Sequence, residues 1–401
     1  MKYSYNNNQN NQNNQGNLVG KRASVIVLAL SLVFMFYNNH NALYPAGHSA
    51  FYIVISILSW FGVFSQRRVR MNFYFKWLSI LFIAVTISNL YTMLFVQLEI
   101  DRGYYLSYLL LITMMISLSQ FKFDNNDIKI IENAFIISVI IISFLIVALR
   151  HTYYSASIAD IRYNIQVPGH ENIDPNFLAA YMTTGIIIML NRVQLKENRM
   201  RVCYIFMLLI SIIALIMTGS RGAILALAVG GLIMFWNQNR GSRKIIIIVI
   251  AIVLILIIYW LVNAYLPQYT VSRINVLRSI RETGQSRRLL DWEKGWEAVS
   301  KSPFFGYGTI QVKQILSFAT GYAWDAHNTI ICVWLQCGIL GLISYVAMIL
   351  HIVKRSVTDK NVYVLAIAIS NIMTSFLLGA QLSLGLWISM FLCALHLEQE
   401  Q

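Results

Sequence analysis

Residues Asn361–Leu397 read NVYVLAIAISNIMTSFLLGAQLSLGLWISMFLCALHL, 37 residues without a single Lys, Arg, Asp or Glu. A hydrocarbon core about 30 Å thick takes roughly 20 apolar residues in one helix. The run is therefore too long for one crossing and too poor in charge to lie in water. It must cross, fold back near Gly379–Ser383 and cross again. Lipid offers the backbone no hydrogen-bond partners, so each crossing has to be helical.

The same reading extends to the rest of the chain. Of 401 residues 57% are hydrophobic and only 12% charged, against about 25% charged in a soluble domain. Charge-free windows place two helices between Arg22 and Arg67, broken by Asn38–His48. Single helices fit 77–96, 103–119, 133–149, 176–191, 202–218, 222–236, 245–263 and 328–350. With the two in 361–397, the expectation is an all-α polytopic membrane protein of about 12 transmembrane helices and one large extracytoplasmic loop containing short helices. Residues 1–20, an Asn/Gln tract with nothing to bury, read as a disordered cytoplasmic tail. The expected division is then 21–263 for helices one to nine, 264–327 for the loop, and 328–401 for helices ten to twelve with a short cytoplasmic tail. Lys21-Arg22 followed by an apolar run resembles a signal peptide, but no small-x-small cleavage site follows, so it is kept as the first span.

Basic residues favour the cytoplasmic connections of a membrane protein. With the N-terminus cytoplasmic, 19 of the 31 Lys and Arg fall on the inner face and the alternation holds through every span. This places both termini in the cytoplasm, in a multi-pass protein of the cytoplasmic membrane, and puts the 264–327 loop outside. The +14 net charge is thus explained largely by topology rather than by nucleic-acid binding. On the basic-poor outer face, Arg102, Arg150, Arg162 and Arg221 ask for a reason. So do the eight basic residues of the loop.

Arg221 lies in Thr218-Gly219-Ser220-Arg221-Gly222, between two apolar runs. It reads either as a side chain snorkelling to headgroups or as a fixed cation in an outward-facing cavity. In the loop, Ser286 caps a helix in which Leu289, Trp292, Trp296 and Val299 share one stripe at 100° per residue. Arg288 sits at the edge of that stripe and Arg287 points away. The helix either lies at the membrane interface or covers the bundle. Pro303-Phe304-Phe305-Gly306-Tyr307-Gly308 ends it in a glycine turn, a weak phosphate signal by itself. His327-Asn328 opens the next span. A histidine there is either a cap or, kept neutral by the helix N-terminus, a general base. Asp174-Pro175-Asn176 starts and caps another helix. The seven histidines are scattered singly, no metal motif is convincing, and no cofactor is implied. Cys203, Cys332, Cys337 and Cys393 read as small hydrophobes within apolar runs.

Together these pieces resemble the bacterial O-antigen ligase and polysaccharide polymerase family, over roughly 170–345. The resemblance rests on Ser220-Arg221-Gly222, Arg288 with Trp292, Pro303 with Gly306 and Gly308, His327-Asn328, Gly338-Ile339-Leu340-Gly341-Leu342 and Asp174-Pro175-Asn176. It implies a metal-independent glycosyltransferase using an undecaprenyl-diphosphate-linked glycan on the outer face of the membrane. A polymerase of repeat units for capsule or exopolysaccharide is preferred. A ligase moving finished glycan to a lipid or other acceptor is the alternative. A flippase or transporter would need ionisable residues within the spans, and these are almost absent. Catalytic roles are expected for Arg221, Arg288 and His327. Substrate binding is expected at Arg221, Arg288, Arg287, Asn328, Trp292 and Asn176, with no metal. Expected partners are the lipid-linked glycan, its glycan or lipid acceptor and membrane lipids, with room for a flippase and a chain-length regulator.

Overall fold

The computed structural model describes residues 21–34, 49–64, 69–149, 151–154, 161–165, 174–195, 198–238 and 287–399. The 1–20 tail, the 245–263 span and the whole of the loop before Arg287, Ser286 included, lie outside the described residues.

Helix α1 covers 21–33, followed by α2 (Ser49–Phe64), α3 (Phe73–Tyr91), α4 (Arg102–Leu118) and α5 (Asn125–Leu149). A π turn over Thr92–Val96 extends α3. Then come α6 (Pro175–Leu195), α7 (Asn198–Met217), α8 (Arg221–Gln238), the loop helices α9 (Arg287–Lys301) and α10 (Val312–Thr320), and α11 (Thr329–Thr358), α12 (Val362–Leu377) and α13 (Leu384–Gln399). The 361–397 run does fold back: α12 and α13 are separated by Leu378–Ser383.

Among the described residues, five helices are long and apolar enough to cross a membrane, namely Phe73–Val96, Asn125–Leu149, Pro175–Leu195, Arg199–Met217 and Thr329–Thr358. Arg102–Leu118, Arg221–Trp236, Val362–Leu377 and Leu384–Glu398 are shorter apolar helices. The fold departs from all-α in one small element, an antiparallel hairpin of β1 (His151–Tyr154) and β2 (Ile161–Asn164), with His151 opposite Asn164. Helices α8 with α12, α3 with α11, and α5, α6 and α7 with one another form the main packing pairs.

Polar ties gather the helix ends into two groups. At one end Lys21 reaches Asp124 and Asp127 (3.1 and 2.7 Å), and Arg70 Nη1 donates to the Phe121 carbonyl at 3.0 Å. There too, the buried Glu132 carboxylate accepts from Arg192, from Tyr363 Oη at 2.7 Å and meets His396 Nε2 at 3.0 Å. The opposite end carries the connections at 88–92, 218–222, 287–328 and 378–383, and with them the candidate residues.

Candidate functional site

The site is built on a loop that is plugged into a broken membrane helix. Gly338 in α11 has φ 65° and ψ −172°, a non-helical conformation open chiefly to glycine. The break separates Leu335 from Ile339. The Leu335 carbonyl instead accepts from Tyr307 N at 2.7 Å, and Ile339 N donates to the Phe304 carbonyl at 3.2 Å. Trp334 Nε1 adds a bond to the Pro303 carbonyl at 2.8 Å. Gly306 and Gly308 have φ of 72° and 76°, and a Cβ on Gly306 would stand 2.6 Å from the Leu335 oxygen. Gly308 N donates to Ser88 Oγ at 2.9 Å. The glycine turn is therefore a backbone plug, with two of its amides committed to the bundle rather than turned to a phosphate.

A buried polar network continues inward from the plug. Gln336 Nε2 donates to the Ile310 carbonyl at 2.7 Å, and Gln336 Oε1 accepts from Tyr108 Oη at 2.7 Å and Gln381 Nε2 at 3.0 Å. Thr309 N and Oγ1 both donate to Asn89 Oδ1, at 2.7 and 3.0 Å. One glutamine thus joins α4, α11, the loop and the α12–α13 turn.

Helix α9 docks on this frame, and its inward face differs from the expected stripe. Asp291, Gly295, Ala298 and Val299 are buried, whereas Leu289 and Trp296 are 59% and 51% exposed. Close approach decides this: a Cβ on Gly295 would lie 2.8 Å from Ile331 Cγ2, so the small residues face α11. Trp292 packs partly buried in the same cluster, and Trp296 meets Trp334 edge-on at 5.5 Å. Buried Asp291, not anticipated, accepts from Tyr322 Oη at 2.7 Å. On the outer face Lys294 (2.7 Å) and then Lys301 (3.3 Å) donate to Glu297 and hold its carboxyl below the usual range. Burial pushes the Tyr307 phenol up.

Arg288, half-buried, donates from Nη1 to the carbonyl of Leu377, the last residue of α12. Arg221, also half-buried, is the first residue of α8, after a turn in which Gly219 has φ 64°. The next residue, Gly222, packs on the Leu377 side chain, where a Cβ would stand 2.8 Å from Leu377 Cδ1. His327 and Asn328 reach the same turn through Thr329, whose Oγ1 donates to the Leu378 carbonyl at 2.6 Å and accepts from Ala380 N at 2.9 Å. His327 has φ 47°, a left-handed backbone that costs a non-glycine residue about 1–2 kcal/mol. It is braced by its N–H to Asp325 Oδ1 at 3.0 Å, and Asn328 caps α11 through Ile330 N and Ile331 N.

At the start of α6, Asn176 N donates to Asp174 Oδ1 at 2.7 Å, and Phe177 and Ala180 pack on Leu378, Ala380 and Leu386. The α12–α13 turn thus gathers the elements carrying Arg221, Arg288, His327, Asn328 and Asn176. Trp292 lies one layer out, and Arg287 begins α9 with its side chain outside the described residues. The turn was visible in the sequence only as a break in a charge-free run. Its polar signal, Gln381 and Ser383, hid among apolar neighbours.

Among the described residues no cluster of His, Cys, Asp or Glu could hold a metal. The chemistry here is cationic: two guanidiniums beside a helix N-terminus that favours anions, and the His327 imidazole on the segment tied to the same turn.

These features define an apolar helical membrane protein with a cationic site at one end of its bundle. Residues 206–346 match the family model described as O-antigen ligase, a match that supports placing the chain in the O-antigen ligase and polysaccharide polymerase family. No curated protein matches the chain.

Proposed function

We propose that the protein polymerises undecaprenyl-diphosphate-linked repeat units into a cell-surface polysaccharide on the outer face of the cytoplasmic membrane. The observation that carries this reading is the convergence of Arg221, through Gly222, and Arg288 on Leu377, one residue from the Leu378 carbonyl that ties down the His327 segment. In glycosyl transfer from a lipid diphosphate, the bond between the anomeric carbon and the phosphate oxygen breaks. The acceptor hydroxyl oxygen forms the new bond, and the diphosphate leaves on its carrier. The guanidiniums of Arg221 and Arg288 stabilise the charge that develops on the leaving phosphates. His327 takes the proton of the acceptor hydroxyl. Asn328, Asn176, Arg287 and Trp292 border the donor and acceptor.

The decisive experiment is transfer by the purified protein with defined lipid-linked repeat units, with and without chelator. Chain growth that survives chelation is expected. Transfer of a finished glycan to a separate acceptor without growth would establish the ligase reading instead, and passage of lipid-linked sugar across proteoliposomes without bond formation would establish a flippase.

A further inference from the structure

Along α13 a gap separates it from α3 and α4 and opens at the end of the bundle opposite the candidate site. The gap is an apolar cleft walled by Leu386, Met390 and Leu395 of α13, Met348 and Ile352 of α11, and Leu78 of α3. The cleft-facing positions of α13 run from Leu386 to Glu398, about 18 Å at 1.5 Å per residue. That is close to one leaflet, half of a hydrocarbon core about 30 Å thick.

The mouth of the cleft is polar, and two of its groups lack hydrogen-bond partners among the described residues. Glu398 lines it half-buried, and among the described residues its carboxylate has no hydrogen bond or ion pair. The phenol oxygen of Tyr74, also at the lining, is buried with no hydrogen-bond partner among the described residues. Arg70 and Lys122 are within electrostatic reach of Glu398 without touching it. Buried polar groups are ordinarily satisfied, and an unpaired carboxylate beside two cations asks for a ligand carrying both signs. We infer that this cleft binds one glycerophospholipid with an amine-bearing headgroup of the phosphatidylethanolamine kind. One acyl chain fills the apolar cleft, the ammonium meets Glu398 and Tyr74, and the phosphate meets Arg70 and Lys122. The inference does not rest on the glycan-transfer reading.

Native mass spectrometry of the purified, delipidated protein, titrated with phosphatidylethanolamine, phosphatidylglycerol or undecaprenyl phosphate, tests it. Wild type is expected to retain one phosphatidylethanolamine, with a preference over phosphatidylglycerol of about tenfold, the equivalent of one good polar contact. Glu398→Gln keeps the fold and should erase that preference while still binding lipid. Ala394 also lines the cleft; Ala394→Trp fills it and should abolish binding. Equal retention of the two phospholipids by wild type, stronger retention of undecaprenyl phosphate, or unchanged selectivity in Glu398→Gln would each overturn the inference. Glu398→Gln decides it even where Ala394→Trp does not fold.

Discussion

Arg288 and Leu377 are separated by 89 positions in the chain, yet the guanidinium of one donates to the carbonyl of the other at the C-terminus of α12. A cation at that position complements the negative end of the helix.

Replacing Arg288 therefore separates orientation from charge. Arg288→Lys keeps the charge but loses the planar fork, and transfer is expected to fall on the order of 10²-fold, as when one preorganised charge-stabilising donor is removed. The measurement is transfer rate with lipid-linked substrate, alongside a melting temperature close to wild type. Near-normal transfer by this variant would remove Arg288 from the chemistry.

Gly338→Ala is expected to evict the loop. Its Cβ would fall 2.2 Å from the Phe304 carbonyl oxygen, a backbone atom unable to swing aside, at a φ of 65°. Limited proteolysis is then expected to cut within 303–320 in the variant while wild type stays intact there, with transfer lost in parallel.

Gln336→Leu should destabilise without touching any candidate catalytic group. It orphans Tyr108 Oη, Gln381 Nε2 and the Ile310 carbonyl, at about 1–3 kcal/mol for each buried group left unpaired. Thermal unfolding in detergent reads the loss. A melting temperature equal to wild type would show that the network is not cohesive.

Asp124 gives a pH-dependent term. Its carboxyl lies below the ordinary aspartate value of 3.8, first because the Asp127 backbone N–H donates to it and then through Lys21. A depressed folded pKa contributes stability that is fully present above the ordinary value and is lost as pH falls through the folded one. Asp124→Ala should thus lower the melting temperature at neutral pH, and the gap to wild type should close as pH drops below 3.8.

Part of the helical layout was legible because lipid imposes one rule on every segment: the charge-free window 133–149 marks the apolar part of Asn125–Leu149, whose first turns carry Asp127, Lys129 and Glu132, and the break in 361–397 marks the reversal at Leu378–Ser383. Arg221, Arg288 and His327-Asn328 could be picked out because charge or polarity beside an apolar run is conspicuous. The inward face of α9 was legible only in part: Trp292 and Val299 of the stripe do pack inward, whereas Trp296 and Leu289 are exposed, because small size at Gly295 and Ala298 decides the closest contact. Gln336, Ser88 and Asn89 escaped for a related reason: an uncharged polar residue in a span leaves no mark until its partners, some more than 200 positions away, are known. The glycine turn suggested an anion site weakly, and its amides proved to be spent on α11 and α3.

The break at Gly338 also bears on how the chain enters the bilayer. With Gly338 bent, the Leu335 carbonyl and the Ile339 amide cannot pair with each other, and in lipid each would cost several kcal/mol if left without another partner. Their partners, Tyr307 and Phe304, precede α11 in the chain and so are already synthesised when it arrives. The bent form of α11 and the docked loop are therefore one unit, and any change of length between Gln311 and Asn328 has to leave the turn able to reach Leu335 and Ile339.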